Sequence, residues 1–484
     1  MRAGERDGWK LTNSGPRGER RNGLDHIADH TASMRDITVG PAAAVGRLSH
    51  DGPGNSAGGT VHRYAKHYLA ESLARHLVPV DGIEVAIPGG TSAPTADTGG
   101  RLAMALLAYV ALITTVVTLL PFEFALPTQP RVMLWGGLFD IVANIGLFVP
   151  LGFLYAVARR DQGVPPARIF LVALLASSAI ESAQLFEVTR FASLSDILAN
   201  GTGAYLGAVL QRTLARRIAM DARTVGRLSL ELPLMGLVYL LVPLLWLDGL
   251  ASVESATPLW PLLALGLFGA GLLSAAQRHH FGPNHLLSRN AMVGAACGWF
   301  LLGAFPGLAP RASIEMFVMI AAVAAFVWVR SADRSGALPI NRRFESKALA
   351  EAAPFYAAYL LLLVAPVAGF SGSAWRGALG FDAMRGSWGT TPVLHVVEAV
   401  AAFTLLGFMM AEFRGRREAR FRDGVRHVAL WCGAAALIAE ALEGFRQDGG
   451  ASGARWLLLV AGALYGAWLY HLQRAHVRRL LGRG

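Results

Sequence analysis

The sequence predicts an all-α fold, a polytopic bundle of about twelve transmembrane helices. Three observations predict it. Hydrophobic residues make up 54% of the 484 residues and charged residues only 16%, with a mean hydropathy of +0.42; soluble chains usually carry about 25% charged residues. The apolar residues are gathered into runs of about 17–22, the length of helix that crosses roughly 30 Å of hydrocarbon. Basic residues then alternate from loop to loop: about 25 arginines and lysines fall in the even-numbered loops and the C-terminal tail, against 7 in the odd-numbered loops. No period-two alternation runs through the chain, which argues against an outer-membrane barrel.

Each apolar run is assigned a helix, near residues 102–120, 138–158, 167–187, 194–212, 229–247, 258–276, 290–307, 312–330, 353–370, 392–412, 425–443 and 455–472. By the positive-inside rule the even loops and both termini are cytoplasmic, so the expected location is the inner or plasma membrane. Residues 1–100 differ in composition. They are rich in Gly, Ser, Arg, Asp and His, with one amphipathic stretch near Val61–Val78, and read as a cytoplasmic, largely disordered extension. No charged segment followed by an apolar one opens the chain, so no signal peptide is expected; Met34 is an alternative start. The net charge of +11 is spread between apolar runs and lacks interleaved aromatics, which points to lipid headgroups as partners and away from nucleic acid.

A repeat is visible at long range. LFVPLGF at 147–153 parallels AFTLLGF at 402–408, ESAQLF at 181–186 parallels EALEGF at 440–445, and GAYLG at 203–207 parallels GALYG at 462–466. The expected organisation is therefore an extension (1–100), a four-helix unit (101–215), a four-helix middle (216–350) and a diverged copy of the first unit (351–484). The copies lie eight helices apart and share one orientation, as parallel repeats do.

Polar side chains in a membrane are costly, by roughly 2.5–3.5 kcal/mol per charge at its centre, and the first unit is rich in them. Asp140 and Asn144 share a face of the second helix, Glu181 and Gln184 a face of the third, and Asp196 and Asn200 a face of the fourth; Arg190 lies in the loop between the last two, and Glu123 follows Pro121 at the end of the first helix. The topology puts all of these at one depth, the outer-leaflet edge. Singly, each has an ordinary role: Asp196 can cap its helix, and Arg190 can pair with Glu187. Together they form a candidate polar site. Gly203 and Gly207 make a GxxxG that allows close helix packing and would hold Asp196 near Glu181. In the copy, His395, Ala399, Glu443, Arg455 and Leu459 stand where Asp140, Asn144, Gln184, Asp196 and Asn200 stand in the first unit. That site reads as degenerate and structural, with Glu440, Glu398 and Arg446 still able to pair.

The segments PFEF (121–124), DIVANIGLFVPLGF (140–153), ESAQLFEVTR (181–190) and SLSDILANGTGAYLG (193–207) together resemble the VanZ-like family, over about a quarter of the chain. The resemblance puts Asn144, Pro150, Gly152, Glu181, Gln184, Arg190, Asp196 and Asn200 on the family's motif positions. It implies an envelope protein, one member of the family being known to raise tolerance to the glycopeptide teicoplanin, and it implies no established reaction.

No P-loop, dinucleotide fingerprint, zinc-protease motif or serine-nucleophile elbow occurs. Cys297 and Cys432 lie far apart within apolar runs, and the HxxE of His395 and Glu398 has no third ligand, so no metal or cofactor is expected. Three functions stay open. A non-enzymatic site would bind a lipid headgroup or cell-wall precursor, with Arg190 as the anion contact. An intramembrane enzyme would use Glu181 or Asp196 as general acid or base. A transporter would need mid-depth charges, which the middle helices are expected to lack, because Asp248 and Glu254 read as loop residues.

Overall fold

The computed structural model describes residues 98–120, 122–126, 132–188, 190–218, 222–280, 288–308, 314–332, 344–364, 375–380, 390–415, 421–445 and 450–480. The N-terminal extension through residue 97, Pro121 and Arg446 lie outside them. The described residues form twelve α-helices: α1 (Thr98–Thr118), α2 (Leu138–Ala158), α3 (Pro166–Gln184), α4 (Leu194–Ile218), α5 (Ala222–Glu254), α6 (Trp260–His280), α7 (Arg289–Leu308), α8 (Ile314–Ala332), α9 (Phe344–Val364), α10 (Thr390–Gly415), α11 (Phe421–Glu443) and α12 (Gly453–Leu480). The chain is an all-α multi-pass membrane protein.

Among the described residues, eight of the twelve helices, α1–α3 and α7–α11, are long and apolar enough to cross a membrane. α6 contributes a shorter apolar stretch, Trp260–Ala275. In α4, Gly203, Gly207 and Asn200 occupy places that leucine would fill in a lipid-facing helix, and these are the residues its packing uses. Lipid-facing surface is recognisable by large apolar side chains left bare: Leu175 on α3 is 73% exposed, Leu302 on α7 74% and Phe317 on α8 66%. In water such a belt would drive aggregation; in hydrocarbon it is solvated. The dry core runs between α5, α6, α7, α9 and α10, where Leu237, Leu241, Leu244, Phe268 and Phe300 are fully enclosed.

Helices α2 and α4 run parallel in close contact. A β-carbon on Gly203 would stand 2.3 Å from the Ile145 carbonyl oxygen, one on Gly207 2.1 Å from that of Val149, and one on Gly152 2.0 Å from that of Ala204. Only hydrogen fits at such an approach. The GxxxG therefore seats α4 on α2. The same contacts recur between α10 and α12: Gly462 faces the Val400 carbonyl, Gly466 that of Thr404 and Gly407 that of Ala463, at 2.8, 1.9 and 1.9 Å.

Two very short parallel strand pairs tie the helix ends. β1 (Val132–Met133) pairs with β2 (Ala192–Ser193), just before α4; β3 (Gly377–Ala378) pairs with β4 (Ala451–Ser452), just before α12. Helix α9 lies chiefly against α6, whereas α1 packs on both α2 and α12.

One sequence expectation is corrected here. Asp248 and Glu254 are not loop residues: both belong to α5, and Asp248, only 2% exposed, lies in the dry core. The apolar run continues on both sides of Asp248, so the helix extends a turn and a half past it.

Candidate functional site

The polar residues of the first unit gather where β1 and β2 join α2, α3 and α4. Glu181 stands in the last turn of α3 and is 6% exposed. Its Oε2 accepts the backbone N–H of Ser193 at 2.7 Å, so the carboxyl clamps β2 onto α3. Ser193 and Ser195 share a hydrogen bond at 2.7 Å, the Ser195 hydroxyl donates to Asp196 Oδ1 at 3.3 Å, and it accepts the N–H of Gly136 at 2.8 Å. The hydroxyls thus link α4 to the turn that starts α2. Asp196 and Arg190 both lie close enough to act electrostatically on Glu181.

The remaining candidates sit around this core. Asp140, exposed in the first turn of α2, accepts the Gly137 N–H at 3.2 Å, which is the place where a helix N-terminus favours an anion. Asn144 is half-buried one turn further along α2. Gln184 donates through Nε2 to the Thr118 carbonyl at 2.7 Å, and Arg190 through Nε to the Leu120 carbonyl at 3.0 Å; both hold the end of α1. Asn200 donates through Nδ2 to the Ser177 hydroxyl at 2.8 Å, and its Oδ1 is buried with no hydrogen-bond partner. The structure therefore brings Glu181, Asp196 and Arg190 together, leaves Asp140 and Asn144 on the neighbouring α2, and turns Gln184 and Asn200 to packing.

Sequence reasoning missed the serines, which lack the helical spacing that singled out the carboxylates and amides. It also missed the loop that closes the site. Phe124 and Glu187 form an antiparallel bridge, Ala125 donates to the Phe186 carbonyl at 2.7 Å, and Val188 donates to that of Glu123 at 3.1 Å. Phe122 accommodates the bend with a left-handed backbone (φ 64°), uncommon for a bulky residue. Glu187 is buried beside this bridge. Burial pushes its carboxyl above the usual range, against the lowering pull of the Phe122 N–H, the Arg190 charge and the Glu123 N–H.

The second unit has the same clamp with a different charge arrangement. Glu440 Oε2 accepts the Ser452 N–H at 2.8 Å. Arg455, where the first unit has Asp196, closes on Glu440 with Nε to Oε1 at 2.5 Å and Nη2 to Oε2 at 2.8 Å, and its Nη1 lies 3.9 Å from Glu443. This unit is closed by a forked ion pair, whereas in the first Asp196 lies near the buried Glu181.

A cavity of about 260 Å³ lies at the other end of the first unit, lined in part by Arg159, Arg160 and Arg212, with Arg212 donating to the Val164 carbonyl at 2.9 Å. Among the described residues no group of three or more His, Cys, Asp or Glu is arranged to hold a metal ion.

Residues 97–216 match the family model described as VanZ/LLP1, and this part of the chain is a VanZ-like domain. The match spans α1–α4 almost end to end and includes every residue of the candidate site. No curated protein and no solved structure matches the chain.

Proposed function

We propose that this VanZ-like membrane protein binds a lipid headgroup or a lipid-linked cell-wall precursor at the Glu181–Asp196–Arg190 site, on the outer side of the plasma membrane, without catalysing a reaction on it. The observation that carries this reading is the contrast between Glu181 and Glu440. Both clamp a serine N–H, but Glu440 is neutralised internally by Arg455, whereas Glu181 has Asp196 beside it and an exposed Arg190 nearby. The first site keeps charged groups of both signs at its surface, which suits a zwitterionic or phosphate-and-amine ligand. The second is satisfied from within and acts as structure. The recurring glycine contacts and strand pairs support an origin of α10–α12 as a diverged copy of α2–α4. The charge bias of the loops supports an orientation with the β1–β2 end outside and both termini in the cytoplasm.

A consequence is an effect on glycopeptide tolerance, teicoplanin in particular. The test is susceptibility in a strain lacking the gene, complemented with wild type or with Asp196→Ala, with membrane levels of both measured. Tolerance restored by wild type and not by the variant at equal level supports the reading. Equal restoration by both makes the cluster purely structural and refutes it.

A further inference from the structure

Outside the VanZ-like domain, the core encloses a second set of ionisable groups. Asp248 on α5 and Glu398 on α10 are each 2% exposed, and the two carboxyls lie close enough to interact. Two carboxylates in a dry core would repel, and both are acceptors only; a proton on one of them removes the repulsion and supplies a donor. The surroundings say which. Glu398 Oε1 accepts the Tyr359 hydroxyl of α9 at 3.2 Å, and Oε2 lies 3.4 Å from His395 Nδ1. Glu398 thus has the donors that a carboxylate needs. Asp248 Oδ2 is buried with no hydrogen-bond partner, a position far more tolerable for the carbonyl oxygen of a neutral acid than for a charged carboxylate. These contacts suit a neutral Asp248 carboxyl facing Glu398.

Burial forms a gradient along this chain of groups. The His395 side chain is 38% exposed, while Glu398 and Asp248 are enclosed. The other titratable neighbours are Tyr356, whose hydroxyl donates to the Ala402 carbonyl at 2.5 Å, with Tyr109 on α1 and Cys432 on α11 near it. Among the described residues, His395 is the cation-forming side chain recorded at ion-pair distance from Glu398.

We propose that Asp248, Glu398 and His395 form a proton-binding site inside the helix bundle, the two carboxyls holding one proton between them and His395 connecting them to water. On uptake, Nε2 of His395 takes a proton from water, the Nδ1–H passes to Glu398, and Glu398 hands a proton to Asp248. The imidazole is left neutral and the pair has gained one proton. Loss of that proton leaves two carboxylates facing each other across the α5–α10 contact, where like charges in a low dielectric repel strongly. An ionisable pair in a membrane core marks a functional site more often than a structural one, and this one joins the middle helices to the second unit.

The test is infrared spectroscopy of the full chain in lipid nanodiscs at neutral pH. Wild type should show the carbonyl stretch of a protonated carboxylic acid, and Asp248→Asn, which swaps a neutral acid for a neutral amide of the same shape, should lose it. If that variant fails to fold, Glu398→Gln serves instead and should shift or abolish the band. In heavy water the band should move, and His395→Phe should slow that exchange several-fold. Absence of the band in wild type, or its survival unchanged in the carboxyl variants, overturns the shared proton. Exchange as fast in His395→Phe as in wild type overturns the route through His395.

Discussion

Arg455 grips Glu440 through Nε and Nη2, one edge of its guanidinium, at 2.5 and 2.8 Å, in the register position that Asp196 holds beside Glu181. With arginine in that place the Glu440 cluster is sealed by its own ion pair, whereas Glu181 has Asp196 beside it. The Arg455 side chain is 16% exposed and that of Glu440 6%, so neither charge is well served by water. Removing one partner of such a pair costs about 3–5 kcal/mol, because the other is stranded. Arg455→Ala should therefore lower the thermal transition in detergent markedly. The double variant Arg455→Ala/Glu440→Gln should recover a good part of the loss, since the amide still accepts the Ser452 N–H. A double variant no more stable than Arg455→Ala would show that the arginine acts by packing alone.

The seams between α2 and α4 and between α10 and α12 give a second expectation. A β-carbon on Gly152 would meet the Ala204 backbone at 2.0 Å and one on Gly407 the Ala463 backbone at 1.9 Å, while one on Gly146 meets nothing within 4 Å. Backbone cannot yield as a side-chain tip can. Gly152→Ala and Gly407→Ala should each destabilise by about 1–3 kcal/mol or more, the scale of overpacking. Gly146→Ala, on the same helix as Gly152, should be neutral or stabilise by about 0.5–1 kcal/mol through helix propensity. Thermal transitions of the three variants, compared in one detergent, decide it.

Glu187 supplies a pH dependence. Its carboxyl is raised in the folded state, chiefly by burial. A raised acid binds its proton more tightly folded than unfolded, so its contribution to stability falls as pH rises from the unfolded value through the folded one. Glu187→Gln removes that loss. The variant should match wild type in acid below the ordinary glutamate value of about 4.3, where Glu187 is protonated in both states, and exceed it at neutral and alkaline pH. A stability difference that does not change with pH would mean that burial does not govern this carboxyl.

Much of the fold was legible because hydrocarbon imposes one strong signal. An apolar run of fixed length must be a helix, and the observed ends fall within a few residues of the runs for most helices, as at Leu138–Ala158 and Ile314–Ala332. The strands were not legible: two residues such as Val132 and Met133 offer no period to detect. Asp248 was missed because an acid near the end of an apolar run reads as the start of a loop, and only the tertiary partner, Glu398, gives it a reason to be enclosed. Arg455 read as decay of the Asp196 pattern. Its meaning depends on Glu440, fifteen residues away and on another helix, which no local spacing reveals. The same limit applied to Ser193 and Ser195, whose roles rest on Glu181 and Gly136.

The last expectation separates the proposed binding site from an enzyme. Glu181 accepts the Ser193 N–H, and an amide oxygen can do the same; Glu181→Gln keeps the clamp and removes the charge. A general acid or base would be lost with it, at a typical cost of about 10²–10⁴ in rate. A binding site that depends on Arg190 for its anion would survive. Arg190 donates Nε to the Leu120 carbonyl and is exposed; among the described residues its terminal nitrogens make no other hydrogen bond, so they can take a phosphate or carboxylate, and lysine cannot reproduce that two-pronged contact. At equal membrane level, Glu181→Gln should retain most of the wild-type glycopeptide tolerance, while Arg190→Lys should lose most of it. The reverse order, with Glu181→Gln inactive and Arg190→Lys active, would replace the binding reading with acid–base chemistry centred on Glu181.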